Sequence, residues 1–400
     1  MDLALLAAWL VVFVVASRRG LPLAVGLLGL AVGLALSLGR GLSGLAADLA
    51  ATAQDPLMLE VELVVLEICL FSELLARTGR MPRVAAALAA RCSDARWILI
   101  GVPALVGVLP MPGGAMFTAP ITDEVGDRLG LSAEEKTLSN YWFRHCWEFV
   151  WPLYPGVILA AGLARLPMLS FLVWTWPLGV AAFAVGLLRT FALAPAGVGA
   201  RAAAAPAAPD PGLRVLWPIV TVVGLVALQL SLPVALAVVL AAYLWRCRLP
   251  GPELRAALRA AWPGLVLVLV FAAYALGRVL ASTGLTVRLG AFLLGLQLPL
   301  PLLALLLPLA MGLLTGNTAG IVGITFPVLL PLVPPAQLGA FVQWMYCAVL
   351  AGLIWSPAHL CLSMTQEYFR ADLARCIRLL LAPMGAVLAV SGLRLWLALA

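Results

Sequence analysis

The chain has 400 residues, 64% of them hydrophobic and 11% charged, with a formal net charge of +7. An average soluble domain carries about 25% charged residues, so this composition cannot cover a water-facing surface. It excludes a soluble enzyme, a nucleic-acid module and a disordered chain, and leaves an all-α polytopic membrane protein with spans of about 20 apolar residues.

The first apolar stretch runs over 3–16 and is followed by Arg18 and Arg19. A cleavable leader carries its positive charges before the apolar run, so this reads as a retained first helix. Further spans fall at 21–38, 57–77, 139–163, 168–190, 214–230, 232–246, 262–284, 338–364 and 379–396. Two more apolar stretches, 97–128 and 298–334, are split near their middles by Gly and Pro and read as re-entrant hairpins. Ten crossings and two hairpins put 19 of the 25 cations inside and only Arg40, Arg165, Arg288 and Arg394 outside. That bias orients the chain with both termini outside. The positive charge is therefore a topology signal, and no nucleic-acid partner is expected.

The chain repeats itself at an offset of 205. Leu75-Ala76-Arg77-Thr78-Gly79 matches Leu280-Ala281-Ser282-Thr283-Gly284, Pro103 matches Pro308, Gly107 matches Gly312 and Pro152 matches Pro357. Residues 1–193 and 214–400 form two repeats, joined by an Ala/Pro-rich cytoplasmic linker at 194–213. Each repeat has five crossings and a hairpin. Five is odd, so the second repeat is inverted. Inverted repeats with broken helices are the architecture of secondary transporters.

Four segments break the helical pattern. The first hairpin tip contains Pro110, Pro112, Gly113 and Gly114, with Thr118 just beyond it. The second contains Thr315, Gly316, Asn317 and Thr318. Pro152 and Tyr154 interrupt the span 139–163, and Ser356 and His359 interrupt 338–364. Open backbone at membrane depth is tolerated where it lines a cavity. These residues are therefore the candidate substrate and ion site. Asn317 and Thr318 could hold a coupling Na+; no resident metal, cofactor or catalytic residue is expected. Seven cysteines without a C-x-x-C pair read as small core residues. No H-E-x-x-H, G-x-S-x-G or P-loop sequence points to an enzyme.

Ionisable residues within spans need a reason to be there. Glu67 lies near the centre of its span. Arg144, His145 and Glu148 lie close together, with His145 and Glu148 three residues apart, so that they share a helix face. All four are candidates for a proton or charge relay, with Arg144 suited to an anionic substrate.

The stretches LPMPGGAMFTAP at 109–120 and NYWFRHCWEFVWPLYPG at 140–156 resemble the integral-membrane family designated domain of unknown function 401. That family is grouped with gluconate, citrate and dicarboxylate permeases in the ion-transporter superfamily. The resemblance implies a scaffold, a mobile subdomain carrying both hairpins, elevator-type alternating access and a homodimer. Sodium-coupled relatives carry Ser-Asn-Thr at their hairpin tips. Gly316-Asn317-Thr318 matches that in part and Pro110–Gly114 does not. The expected function is uptake or export of a small organic anion, a carboxylate, coupled to Na+ or H+ across the cytoplasmic membrane of a prokaryote. The competing reading is a cation/proton antiporter with no organic substrate.

Overall fold

A computed structural model describes residues 2–77, 92, 94–108, 114–194, 217–295 and 298–400. Among these the regular structure is helical, with no strand. In chain order the α-helices are α1 (Asp2–Arg18), α2 (Leu23–Ser37), α3 (Gly41–Ala53), α4 (Pro56–Arg77), α5 (Ala95–Gly107), α6 (Gly114–Arg128), α7 (Ala133–His145), α8 (Pro155–Leu163) and α9 (Met168–Leu193). The second set is α10 (Trp217–Ala227), α11 (Leu232–Cys247), α12 (Gly251–Ala260), α13 (Gly264–Ser282), α14 (Leu285–Gly295), α15 (Leu300–Thr315), α16 (Thr318–Leu329), α17 (Leu338–Ile354), α18 (Leu360–Phe369) and α19 (Leu373–Leu399). Four stretches, covering α9, α13, α17 with the turn before it, and α19, are long and apolar enough to cross a membrane. The protein is a multi-pass membrane protein.

The helix starts follow the offset seen in the sequence. Adding 205 to 95, 133, 155 and 168 gives 300, 338, 360 and 373, the first residues of α15, α17, α18 and α19. The contacts are reciprocal as well. Helix α2 packs on α13 and α11 on α4; α3 packs on α13 and α12 on α4; α6 packs on α18 and α16 on α8; α7 packs on α19 and α17 on α9. These eight contacts form four exchanged pairs, as a two-fold relation between the halves would give, whereas the contact of α7 with α18 has no exchanged counterpart of comparable size.

Helices α5, α6, α15 and α16 have 13, 15, 16 and 12 residues. At 1.5 Å per residue none exceeds about 24 Å, less than the roughly 30 Å hydrocarbon core. Each packs against its hairpin mate. The first helix of each hairpin is also pinned to the broken helix of its own half. Trp147 Nε1 donates to the Ala104 carbonyl at 2.7 Å and Trp344 Nε1 to the Pro301 carbonyl at 2.8 Å.

Several sequence expectations change. The span 139–163 is two helices, α7 and α8, joined by a 3₁₀ turn over Cys146–Phe149 and a loop. The span 338–364 divides into α17 and α18. Pro152 and Pro357 lie in these gaps, where a helix cannot continue past the missing N–H. Helices α3, α12 and α14 had no counterpart among the expected spans. Helix α12 has ten residues with only Ala257 buried, so neither length nor apolar content flags it as a span. Pro110, Pro112 and Gly113 and most of the linker lie outside the described residues, and Gly114 opens α6.

Helix α3, outside the spanning segments, carries the buried Asp48. Its carboxylate takes both Arg40 Nε (2.9 Å) and Arg40 Nη2 (3.0 Å), and accepts the Ser282 hydroxyl at 2.8 Å. The Arg40 hydrogen bonds hold the Asp48 carboxyl below the usual carboxylate pKa range, against the opposing effect of burial and with help from Ser282. Because the folded value is the lower one, this stabilisation is complete above the unfolded value of about 4 and is lost as the pH falls through the folded value. Asp48→Asn should cost about 1–3 kcal/mol. A melting curve in detergent checks this, and the difference from wild type should shrink on the acid side.

Candidate functional site

The breaks of the two halves meet at a buried polar cluster. His145 is the last residue of α7, and Glu148 sits in the 3₁₀ turn just after it. They do not share a continuous helix, yet His145 Nε2 and Glu148 Oε1 are 3.6 Å apart. From the second half come Thr318, the first residue of α16, and His359, which precedes α18. Thr318 Oγ1 donates to Glu148 Oε2 at 2.8 Å. The two imidazoles face each other, Nε2 to Nε2, at 3.0 Å. His145, Glu148 and His359 are 4%, 7% and 8% exposed, while Thr318 is half-buried at the edge of the cluster.

The other ring nitrogens fix the tautomers. His145 Nδ1 lies 2.7 Å from the Tyr141 carbonyl and His359 Nδ1 lies 2.8 Å from the Gly316 carbonyl. A carbonyl can only accept, so each Nδ1 carries the hydrogen. With both rings neutral, each Nε2 presents a lone pair to the other. A single proton between them removes that conflict and makes the 3.0 Å separation an ordinary hydrogen bond. Glu148 then supplies the counter-charge.

His145, His359 and Cys361 have their ligand atoms within 4.8 Å of one another, the set that could hold a soft divalent ion. Two nitrogens on one tetrahedral zinc stand about 3.3 Å apart, given Zn–N bonds of 2.0–2.1 Å. The observed separation of 3.0 Å is shorter than that spacing.

Glycine makes the convergence possible. A Cβ on Gly156, at the start of α8, would lie 2.5 Å from Thr318 Cγ2. Gly316 has φ 62°, and a Cβ there would strike the Ala358 carbonyl carbon at 2.7 Å. Only glycine takes that turn without strain.

The remaining predicted residues hold the frame. Tyr154 donates to the Gly107 carbonyl at 2.6 Å and Ser356 to the Leu313 carbonyl at 2.9 Å, tying each break to its own hairpin. Asn317 Oδ1 caps α16 by accepting the Gly320 N–H at 2.8 Å. The Thr315 hydroxyl donates to the Met311 carbonyl in its own helix. Pro152 is buried in the loop before α8. The side chains of Asn317 and Thr318 thus both have partners within the protein. Thr118 lies apart from the cluster's hydrogen bonds. Its hydroxyl and that of Thr122 donate to Asn140 Oδ1, while Asn140 Nδ2 donates to the Ala115 carbonyl at 3.1 Å. Glu67, on α4, makes no hydrogen bond to the cluster, and its Oε2 is buried without a partner among the described residues. Arg144 is 4% exposed at the end of α7, beside His145.

Sequence reasoning passed over Tyr141, Tyr346, Cys361 and Asn140. Tyr346 donates to the Glu148 carbonyl at 2.9 Å. Tyr141 packs its ring on both imidazoles, with centroids 4.2 Å and 5.7 Å away, and its buried hydroxyl has no hydrogen-bond partner among the described residues. The two tyrosines are 205 residues apart, so the repeat register itself was the signal that would have found them.

No curated protein matches this sequence. The fold matches the crystal structure of the YdaH transporter of Alcanivorax borkumensis, described there as having an unusual topology. The TM-score is 0.64 and the identity 18%, over 92% of this chain and 89% of that one. The family model described as protein of unknown function (DUF401) matches residues 2–398, and the chain belongs to that family.

Proposed function

We propose that the protein is a secondary active transporter that moves a small organic anion, a carboxylate, across the cytoplasmic membrane of a prokaryote in exchange for the energy of an ion gradient. The observation that carries this reading is the His145–His359 contact, which joins the broken helix of one half to that of the other over a carboxylate and a hydroxyl. Of the two coupling ions the sequence leaves open, this geometry favours H+. The proton closes the imidazole pair, and its loss sets two lone pairs against each other and drives the halves apart. A closed and an open arrangement, each tied to one protonation state, is what coupling requires. Buried Arg144 and the Tyr141 hydroxyl supply the charge and the donor that a substrate carboxylate needs.

The hairpin helices, shorter than the hydrocarbon core, support a reading as inverted repeats, and the proposal includes an elevator motion in a homodimer with both chain ends outside. Reconstituted protein, offered a panel of organic acids, should accumulate one of them when an inward proton gradient is imposed. Uptake driven by Na+ alone would overturn the proton assignment. Cation movement against protons with no acid transported would favour the antiporter.

A further inference from the structure

A second set of anion-binding groups lies at the other end of α8. A cavity of about 380 Å³ is lined by Asp55, Arg165, Tyr274, Arg278 and Pro327. A neighbouring cavity of about 400 Å³ shares Gly162 and Arg165 with it. Asp55 Oδ2 lies 3.7 Å from Arg278 Nη2 and 3.9 Å from Arg165 Nη2, beyond hydrogen-bond reach of both. Its other oxygen accepts the Leu57 N–H at 3.0 Å, where Asp55 starts α4. Glu60 lines the neighbouring cavity beside Arg165, so two carboxylates stand against two guanidiniums here, and what the cavity offers an anion is a fork of guanidinium donors not spent on Asp55. The Tyr274 hydroxyl is buried without a hydrogen-bond partner among the described residues. It rests against Gly162, where a Cβ would come within 2.6 Å of it.

Two further facts give this cavity a direction. Gly156 touches Thr318 and Gly162 touches Tyr274, so six residues of one helix, about 9 Å, separate the central cluster from this cavity. Arg165 is also one of only four cations that the charge bias leaves outside. A cation kept against that bias calls for a local role.

We propose that this outer cavity is a separate binding station for carboxylates, in which Arg165 and Arg278 form charge-assisted hydrogen bonds to the anion and Tyr274 donates a third. Asp55 competes with the ligand for both guanidiniums and so keeps the binding weak and reversible. The assignment of carboxylates as the ligand class rests on the transport reading above; the donor geometry does not.

Calorimetric titration of the full-length protein in detergent with succinate tests it, with uncharged succinamide as the control. Succinate should bind saturably and succinamide should not. Arg278→Gln should weaken binding about tenfold. Asp55→Asn keeps an equally good helix cap and should tighten binding, an outcome that no merely structural role for Asp55 produces. Absence of succinate binding, binding indifferent to Arg278→Gln, or weakening by Asp55→Asn would overturn the proposal. Arg278-dependent binding in a protein that transports no organic acid would keep the station and retire the transport reading.

Discussion

Glu148→Gln lowers proton-driven accumulation of the substrate by about 5–150-fold but leaves exchange of substrate across the membrane intact. This is the result expected if Glu148 is the counter-charge of a shared proton. The glutamine keeps an oxygen for the Thr318 hydroxyl, which donates at 2.8 Å in the wild type, so the fold has little reason to change. What disappears is the negative charge 3.6 Å from His145 Nε2. The groups that remain around the imidazoles are Arg144, Tyr141, Tyr346, Cys361 and the partner histidine, and none of them can supply it. Coupling free energies are typically 1–3 kcal/mol, about 5–150-fold in the coupled quantity, and the loss of driven uptake should fall in that range. His359→Gln should share the phenotype, since it removes the other half of the pair. Paired measurements of driven uptake and counterflow in the same vesicles separate loss of coupling from loss of binding. Equal loss of both would make Glu148 a substrate ligand.

Gly352→Ala is expected to have the largest effect on stability. Helices α15 and α17 cross with backbone against backbone. A Cβ on Gly352 would lie 2.5 Å from the Leu309 carbonyl oxygen, and one on Gly312 would lie 2.6 Å from the Gly352 Cα. Neither neighbour is a flexible side chain, so the helices themselves must separate. Small residues at such crossings are how membrane helices gain close van der Waals packing. Overpacking costs typically about 1–3 kcal/mol and occasionally more, and here it also pulls the second hairpin away from the helix that positions it. The melting temperature in detergent should fall sharply, with a parallel loss of folded yield. Gly385→Ala is the matched control: it lies within a helix, a Cβ there meets nothing within 4 Å, and the substitution should be neutral or slightly stabilising.

The parts of the fold that could be read from the sequence were those written in backbone chemistry. Pro103 and Pro308, Gly107 and Gly312, and Pro152 and Pro357 keep the same register because they set where helices bend, meet and stop. The same logic located the breaks, and four residues singled out there or in the polar run are linked in a chain, Thr318 to Glu148, Glu148 to His145 and His145 to His359. Contacts across the halves were not legible. Nothing in the spacing of His145 and His359, 214 residues apart, says that they touch. Burial misled in the other direction for Thr118, a polar residue near a break that serves the Asn140 network. Asn140 itself looked like one more polar residue in a motif. Helices α3 and α12 escaped because a short surface helix has neither the length nor the apolar run of a span.

The two halves share geometry but not chemistry. The positions 205 residues beyond Arg144, His145 and Glu148 are Val349, Leu350 and Leu353, while His359 stands opposite Tyr154 in the register. Two equivalent ion sites would carry two charges per cycle; under the proposed proton coupling a single titratable pair carries one. Electrical bookkeeping then follows from the valence of the cargo. A monocarboxylate travelling with one proton moves no net charge, and its uptake should be indifferent to membrane voltage. A dicarboxylate with one proton moves one negative charge inward, and an inside-negative potential should oppose it. Clamping the voltage of substrate-loaded vesicles with potassium and valinomycin would therefore read the cargo's charge from the direction of the response.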